Sequence, residues 1–205
     1  MLENIFWLGH ASVRIAGPVT VYVDPWKLAA GAPKADIVLI THEHSDHFSP
    51  EDIAKVARPE TAFVAPPSVA PKLKGDVHTV RPGDSLTLRG VSIRAVPAYN
   101  IGKQFHPMAA GHVGYIILTG GRTIYVAGDT DRIPEMAGLK VDVAMLPVGG
   151  KYTMTGDEAA EAANAIKPKV AVPLHYGSVI GSRADAERFK RLCRVPVEIL
   201  PLTLP

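Results

Sequence analysis

The chain has 205 residues, long enough for one domain with a sizeable core, and 47% hydrophobic against 20% charged residues is the balance of an ordinary globular protein. Lys+Arg 22 against Asp+Glu 20 leaves a net charge of +2, with no block of like charges and no basic stripe interleaved with aromatics, which argues against nucleic-acid or anionic-membrane partners. The single cysteine, Cys193, excludes an internal disulfide.

The start, MLENIFWLGH, carries no basic segment ahead of a long apolar stretch, and no apolar run approaches the ~18 residues of a membrane span, so a soluble, cytoplasmic protein is expected. Short runs rich in Val and Ile, punctuated by Gly, Pro and Asp, predict strands over 4–9, 12–16, 19–24 and 36–40. Ser49, Pro50 and two acids then predict a helix over 49–57. Strands follow over 61–65, 76–80, 85–90 and 91–98, and then a long aperiodic loop from Tyr99 to Gly111. Strands over 113–119 and 122–129 lead to a short helix around 133–139 and a strand over 141–148. Thr155 and Glu158, at capping-box spacing, open a helix that Pro168 stops. A strand over 169–175, a helix over 182–193 in which Cys193 packs as a small hydrophobe, and a strand over 197–200 complete the chain. The pattern predicts an α/β fold, sheet packed on sheet with helices outside, as a single domain over residues 1–205.

The segment THEHSDH, residues 41–47, places three histidines and two acids at the end of the buried run ADIVLI. In extended backbone His42 and His44 point the same way. Asp46 and His47 follow the turn and aim at a second point nearby. Imidazoles and a carboxylate are the ligand set of Zn²⁺ and similar divalent transition metals, and a loop that merely capped the next helix would need none of the histidines. Two further strand ends carry ligand types: Asp129 in YVAGDTD and His175 in VAVPLHYG. A turn aspartate and a hydrogen-bonded structural histidine are the simpler readings of these two, outweighed by the first motif.

Taken together, THEHSDH, AGDTD and PLHYG, in that order, resemble the metallo-β-lactamase superfamily, and WLGHASVRI and VYVDPW resemble its branch of ascorbate-6-phosphate lactonase-like and related metal-dependent hydrolases. The resemblance implies an αββα sandwich of two mixed β-sheets flanked by helices, with two divalent ions per chain at one edge of the sheets. Zn²⁺ is the leading candidate, and Mn²⁺, Fe²⁺ and Ni²⁺ accept the same ligands. His42 and His44 then bind one ion; Asp46, His47 and His175 bind the other; Asp129 bridges them. His44, where oxygen-reducing di-iron relatives carry Glu, favours hydrolysis. The family's third histidine for the first ion is replaced by Asn100, a poor zinc ligand, so His106 is expected to complete that set, with His112 as the alternative and Asn100 beside them.

His10 and Asp24 end early strands, and the resemblance makes them outer residues that fix ring tautomers or contact substrate. Asp46 and His10 are taken as the catalytic residues, Asp46 by orienting an ion-activated hydroxide. Tyr99, Lys103, Lys151 and Tyr152 lie in the two long loops and are candidate contacts for a polar or anionic substrate, against the simpler reading of solvated loop charge for the lysines. His78 reads as an exposed strand residue. The expected activity is hydrolysis of a small ester, lactone, amide or phosphodiester. A nucleic-acid phosphodiesterase and a non-catalytic metal sensor are the alternatives; the near-neutral charge weighs against the first, and the Asn100 substitution speaks for the second.

Overall fold

The computed structural model describes residues 1–203. Twelve strands form two six-stranded sheets. The first runs in the order β1 (Ile5–Gly9), β2 (Ser12–Ile15), β3 (Val21–Val23), β4 (Ile37–Leu39), β5 (Ala62–Ala65), β6 (Asp76–Thr79). The second runs β12 (Val170–Leu174), β11 (Val143–Pro147), β10 (Arg122–Val126), β9 (Val113–Thr119), β8 (Val91–Pro97), β7 (Ser85–Leu88). Both sheets are mixed. β1–β2–β3 and β7–β8–β9–β10 are antiparallel, while β3–β4–β5–β6 and β10–β11–β12 are parallel. With α1 (Pro50–Val56) on one side and α2 (Gly156–Ile166) and α3 (Arg183–Leu192) on the other, this is the αββα sandwich expected.

The parallel strands of the first sheet are apolar on both faces because both faces are covered. Val21, Val23, Ile37, Leu39 and Val64 enter the core between the sheets, and the alternate residues Tyr22, Val38 and Phe63 pack with Ile53 and Val56 of α1. The helices start where their caps predict. Ser49 Oγ accepts the Asp52 N–H at 3.2 Å, and Thr155 and Glu158 form the reciprocal capping box.

One expectation is corrected. Residues 197–200 are not a strand: Val197 makes one isolated bridge to Ala171, and Pro196 and Pro201 cannot donate to a ladder. The short helix around 133–139 is a single 3₁₀ turn over Pro134–Met136. Cys193, the C-cap just past α3, packs half-buried against the core as a small hydrophobe, where burial pushes its thiol up to about 12. No helix among the described residues is long and apolar enough to cross a membrane.

Candidate metal centre

The ligand-type side chains gather where strands end. His10 follows β1, Asp24 follows β3, residues 41–47 follow β4, Asn100 and His106 lie beyond β8, Asp129 lies beyond β10, and His175 follows β12. Both sheets therefore contribute to one edge. Two glycines let the strand ends approach. Gly128 (φ +67°) faces Thr41, and a Cβ there would lie 3.0 Å from the Val113 carbonyl and 3.2 Å from Thr41 Cβ; a Cβ on Gly149 would lie 2.6 Å from the His175 carbonyl. His10, Asp24, His106 and His175 themselves take left-handed backbone, with φ between 46° and 59°. Such a conformation costs a non-glycine residue about 1–2 kcal/mol, so the fold holds these four side chains in place at a local cost.

His42, His44 and His106 form one cluster. His42 Nε2 and His106 Nε2 lie 3.0 and 3.1 Å from His44 Nδ1. Neighbours fix the tautomers. The Thr41 hydroxyl donates to Asp24 Oδ2 (2.6 Å), so Thr41 Oγ1 accepts from His42 Nδ1 (3.0 Å) and leaves Nε2 with a bare lone pair. His106 Nδ1 donates to Asn100 Oδ1 (2.9 Å), which bares Nε2 in the same way. Asn100 thus sits behind His106 and aims it at the cluster. Burial, followed by the neighbouring His47, holds His42 well below the ordinary imidazole range; burial takes His106 down to about 4.

His10, Asp46, His47 and His175 form the second cluster. His47 Nδ1 donates to Asp24 Oδ2 (2.7 Å), leaving Nε2 to face Asp129 Oδ1 (3.2 Å) and Asp46 Oδ2 (3.8 Å). His175 Nε2 lies 3.1 Å from Asp129 Oδ2 and 4.0 Å from Asp46 Oδ2. Asp129 stands between the clusters, since the same Oδ2 is 3.4 Å from His106 Nε2. Burial alone would push His47 down, but Asp129 and then Asp24 outweigh it and hold the imidazole well above its ordinary range. Burial likewise opposes ionisation of Asp129, but His175 and His47 keep it well below the usual carboxylate range. Asp46, 20% exposed, accepts from His10 Nε2 (2.9 Å). Burial would raise its pKa, but that hydrogen bond and the nearby His47 bring it down to about 2.

A divalent cation fits this arrangement. His47 Nε2, His175 Nε2 and Asp129 Oδ1 are buried and have no hydrogen-bond partner among the described residues. Buried polar atoms are almost always paired, and here both imidazole nitrogens face the Asp129 carboxylate at 3.2 and 3.1 Å without the alignment of hydrogen bonds. His42 Nε2 and His106 Nε2 both present a lone pair to His44 Nδ1 at 3.0 and 3.1 Å, and a single Nδ1 proton cannot answer both in linear geometry, whereas one cation can. Two His/Asp clusters capable of coordinating metal ions are therefore present, with Asp129 common to their border.

The remaining candidates divide. Tyr152 stands edge-on to Phe105 (4.8 Å), and Lys151 lies over the Tyr152 ring, both in the loop after β11. Tyr99 does not face the clusters: its ring is core, and its hydroxyl donates to Glu135 (3.0 Å). Lys103 pairs with Asp131 and donates to the Thr153 carbonyl (2.7 Å), tying the 99–111 loop to the 149–156 loop. His112 is buried near His42, 3.2 Å from Glu43 Oε2, and joins neither cluster. His78 is half-buried on β6 and 2.9 Å from Asp76. Thr41, which fixes both His42 and Asp24, is a site residue missing from the sequence candidates; its signal is a hydroxyl two residues past a buried strand, directly before the ligands.

Comparison with known proteins gives a consistent picture. The family model of the beta-lactamase superfamily domain matches residues 4–175. Among curated relatives, a UPF0173 metal-dependent hydrolase of Thermoplasma acidophilum is 35% identical over 208 aligned positions, covering 93% of this chain and 92% of that one. A second, from Thermococcus kodakarensis, is 35% identical, with 98% and 96% covered. Among solved structures, a protein of Parabacteroides distasonis assigned as a metal-dependent hydrolase superposes with a TM-score of 0.87 at 37% identity, covering 97% of this chain and 93% of that one.

Proposed function

The chain belongs to the metallo-β-lactamase superfamily of metal-dependent hydrolases, and on that premise we propose that it hydrolyses a small ester, lactone, amide or phosphodiester at a two-ion centre. The observation that carries the reading is Asp129, whose two carboxylate oxygens face His47 on one side and His106 and His175 on the other. His42, His44 and His106 would hold one ion and Asp46, His47 and His175 the other, with Asp129 shared between them. Divalent cations so held, zinc before manganese, iron or nickel, would supply electrophilic polarisation of the substrate's oxygen and acidify water.

The chain's own residues do the rest. His10 donates to Asp46 Oδ2 and leaves Oδ1 to accept a hydrogen bond from the attacking water. Asp24 and Asn100 hold His47 and His106 in the tautomers that present Nε2. Tyr152 packs on Phe105, the chain neighbour of His106, and with Lys151 over its ring is assigned to contact substrate. The first sheet supplies four of these seven ligands (His42, His44, Asp46, His47) and the second sheet three (His106, Asp129, His175), so residues 1–205 act as one catalytic unit. The test is elemental analysis of protein purified without chelator, joined to a panel of esters, lactones, amides and phosphodiesters. About two metal ions per chain with turnover of at least one class is the expected result; no turnover of any class by the zinc- and manganese-loaded protein sinks the reading.

Two further outcomes are expected. Asn100→Ala frees the His106 ring and lowers affinity at the first ion site by about 10–100-fold, while the second site is unchanged; metal titration with a competing chelator resolves the two. Acid acts through the histidines of the metal-free protein. His106 has its folded value lowered to about 4, so stability present above the ordinary 6.5 is lost as pH falls toward 4, by ~3 kcal/mol for that ring alone. His47 is raised, so its contribution is complete below 6.5 and is lost only as pH rises through its folded value. Loading with zinc at pH 7 therefore expels the His47 proton, which calorimetry in buffers of differing ionisation enthalpy reads directly.

A further inference from the structure

Beside the second cluster lies a cavity of about 240 Å³ lined chiefly by Trp7, His10, Trp26 and Tyr176, with exposed Lys27, Ser178 and Leu202 also in its lining. Most of its larger side chains are aromatic. Trp7 and Tyr176 stack at 4.7 Å, and the His10 and Trp26 rings lie 5.2 Å apart. The Tyr176 hydroxyl and His10 Nδ1 are buried behind these walls, in residues 4% and 1% exposed, so the surface that the rings offer to the cavity is apolar. At the outer side the Lys27 ammonium lies 4.2 Å over the Trp26 ring and 3.4 Å from Ser178 Oγ. The Trp26–Lys27 turn is fixed, since Asp52 accepts the Lys27 and Leu28 N–H groups at 2.8 and 2.9 Å. The cavity is thus preformed.

We propose that this cavity is the subsite for an aromatic part of the substrate: one ring, bearing a negative charge toward Lys27. A cavity of ~150 Å³ already admits benzene, so this one has room for a substituted ring. The aromatic lining favours a flat ring over a saturated one, and the cationic rim selects an anion over a cation. His10 is the shared wall with Asp46, so a ring seated here lies one imidazole away from the proposed water-orienting carboxylate. As a substrate subsite this rests on the hydrolase reading; as a binding site it does not.

The chain contains two tryptophans, and both are walls of the cavity, so intrinsic tryptophan emission reports on it without a label. We would titrate the protein as purified with 4-hydroxybenzoate, and with 4-hydroxybenzyl alcohol and 4-hydroxybenzylamine as the neutral and cationic counterparts. The expected result is a saturable emission change with the acid, weaker with the alcohol and absent with the amine. Lys27→Glu, at an exposed position that preserves the fold, weakens the acid at least about threefold; Trp26→Ala weakens it about tenfold or more. Equal response to acid and amine, no saturation, or binding untouched by both substitutions overturns the assignment, the last because the carboxylate then sits elsewhere, on the metal for example. Binding without turnover of any ester or lactone keeps the subsite and removes the hydrolase reading; turnover in the panel without this binding does the reverse.

Discussion

Asp129→Ala yields a protein that holds at most one loosely bound ion and has lost at least about 10³-fold in kcat/KM, ~4 kcal/mol of transition-state stabilisation. The carboxylate is the one group within 3.4 Å of ring nitrogens from both clusters, reaching His47 through Oδ1 and His106 and His175 through Oδ2. Its removal deletes an anionic ligand from both proposed ion sites and leaves five imidazoles and Asp46 to hold two dications against their mutual repulsion. It also withdraws the charge that most strongly favours a proton on His47. Asp129→Asn separates volume from charge: it fills the same space, and the expected loss of metal is nearly as large because an amide oxygen is a weak ligand. Elemental analysis and steady-state rates on both variants decide the matter. An alanine variant with two ions per chain and activity within tenfold of the parent would falsify the bridging role.

A second large effect is expected one layer out. Asp24 is 1% exposed and accepts three hydrogen bonds, from the Thr41 N–H (2.8 Å), the Thr41 hydroxyl (2.6 Å) and His47 Nδ1 (2.7 Å). Asp24→Ala strands a buried imidazole and two buried donors at once. Breaking such a pair from one side costs about 3–5 kcal/mol, a large share of a domain's total stability of about 5–15 kcal/mol. Asp24→Asn keeps an oxygen for Thr41 and suits the left-handed backbone, but it gives up the charge that fixes the His47 tautomer. It is expected to retain most of the stability and to lose about 10–100-fold in metal affinity. Urea denaturation with and without zinc tells the two apart: the alanine variant is weak in both conditions, the asparagine variant chiefly in its smaller gain from zinc. Equal midpoints for both variants and the parent would remove Asp24 from the account.

The layered fold was legible because it rests on alternation. Residues 21–23 and 37–39 are buried on both faces, and a strand covered on both sides reads as a continuous apolar run. The ligand segment was legible because nothing structural requires three histidines within 41–47. What was hidden depends on side chains meeting across the sheets. The direction of the Tyr99 hydroxyl is set by Glu135, 36 residues later. Lys103 is neutralised by Asp131 from another loop, so its charge reads as available in the sequence and is spent in the fold. Trp26 and Tyr176 become walls of one cavity only once β3 and β12 bring their ends together, and no local pattern marks either. Residues 197–200 mislead in the opposite sense: their composition is that of a strand, but the flanking prolines leave the ladder with nothing to propagate.

The left-handed backbone at His10, Asp24, His106 and His175 has a consequence for how this chain evolves. Glycine or asparagine at His10, His106 or His175 relieves local strain, so substitutions that loosen the site there also recover part of the folding energy. Asp24 differs, because its three buried hydrogen bonds outweigh the strain of its backbone. A descendant of this chain that has given up its reaction is therefore expected to keep its strands and Asp24 and to carry glycine or asparagine at positions 10, 106 and 175, and histidine persisting at all three is the mark of a lineage still held to its task.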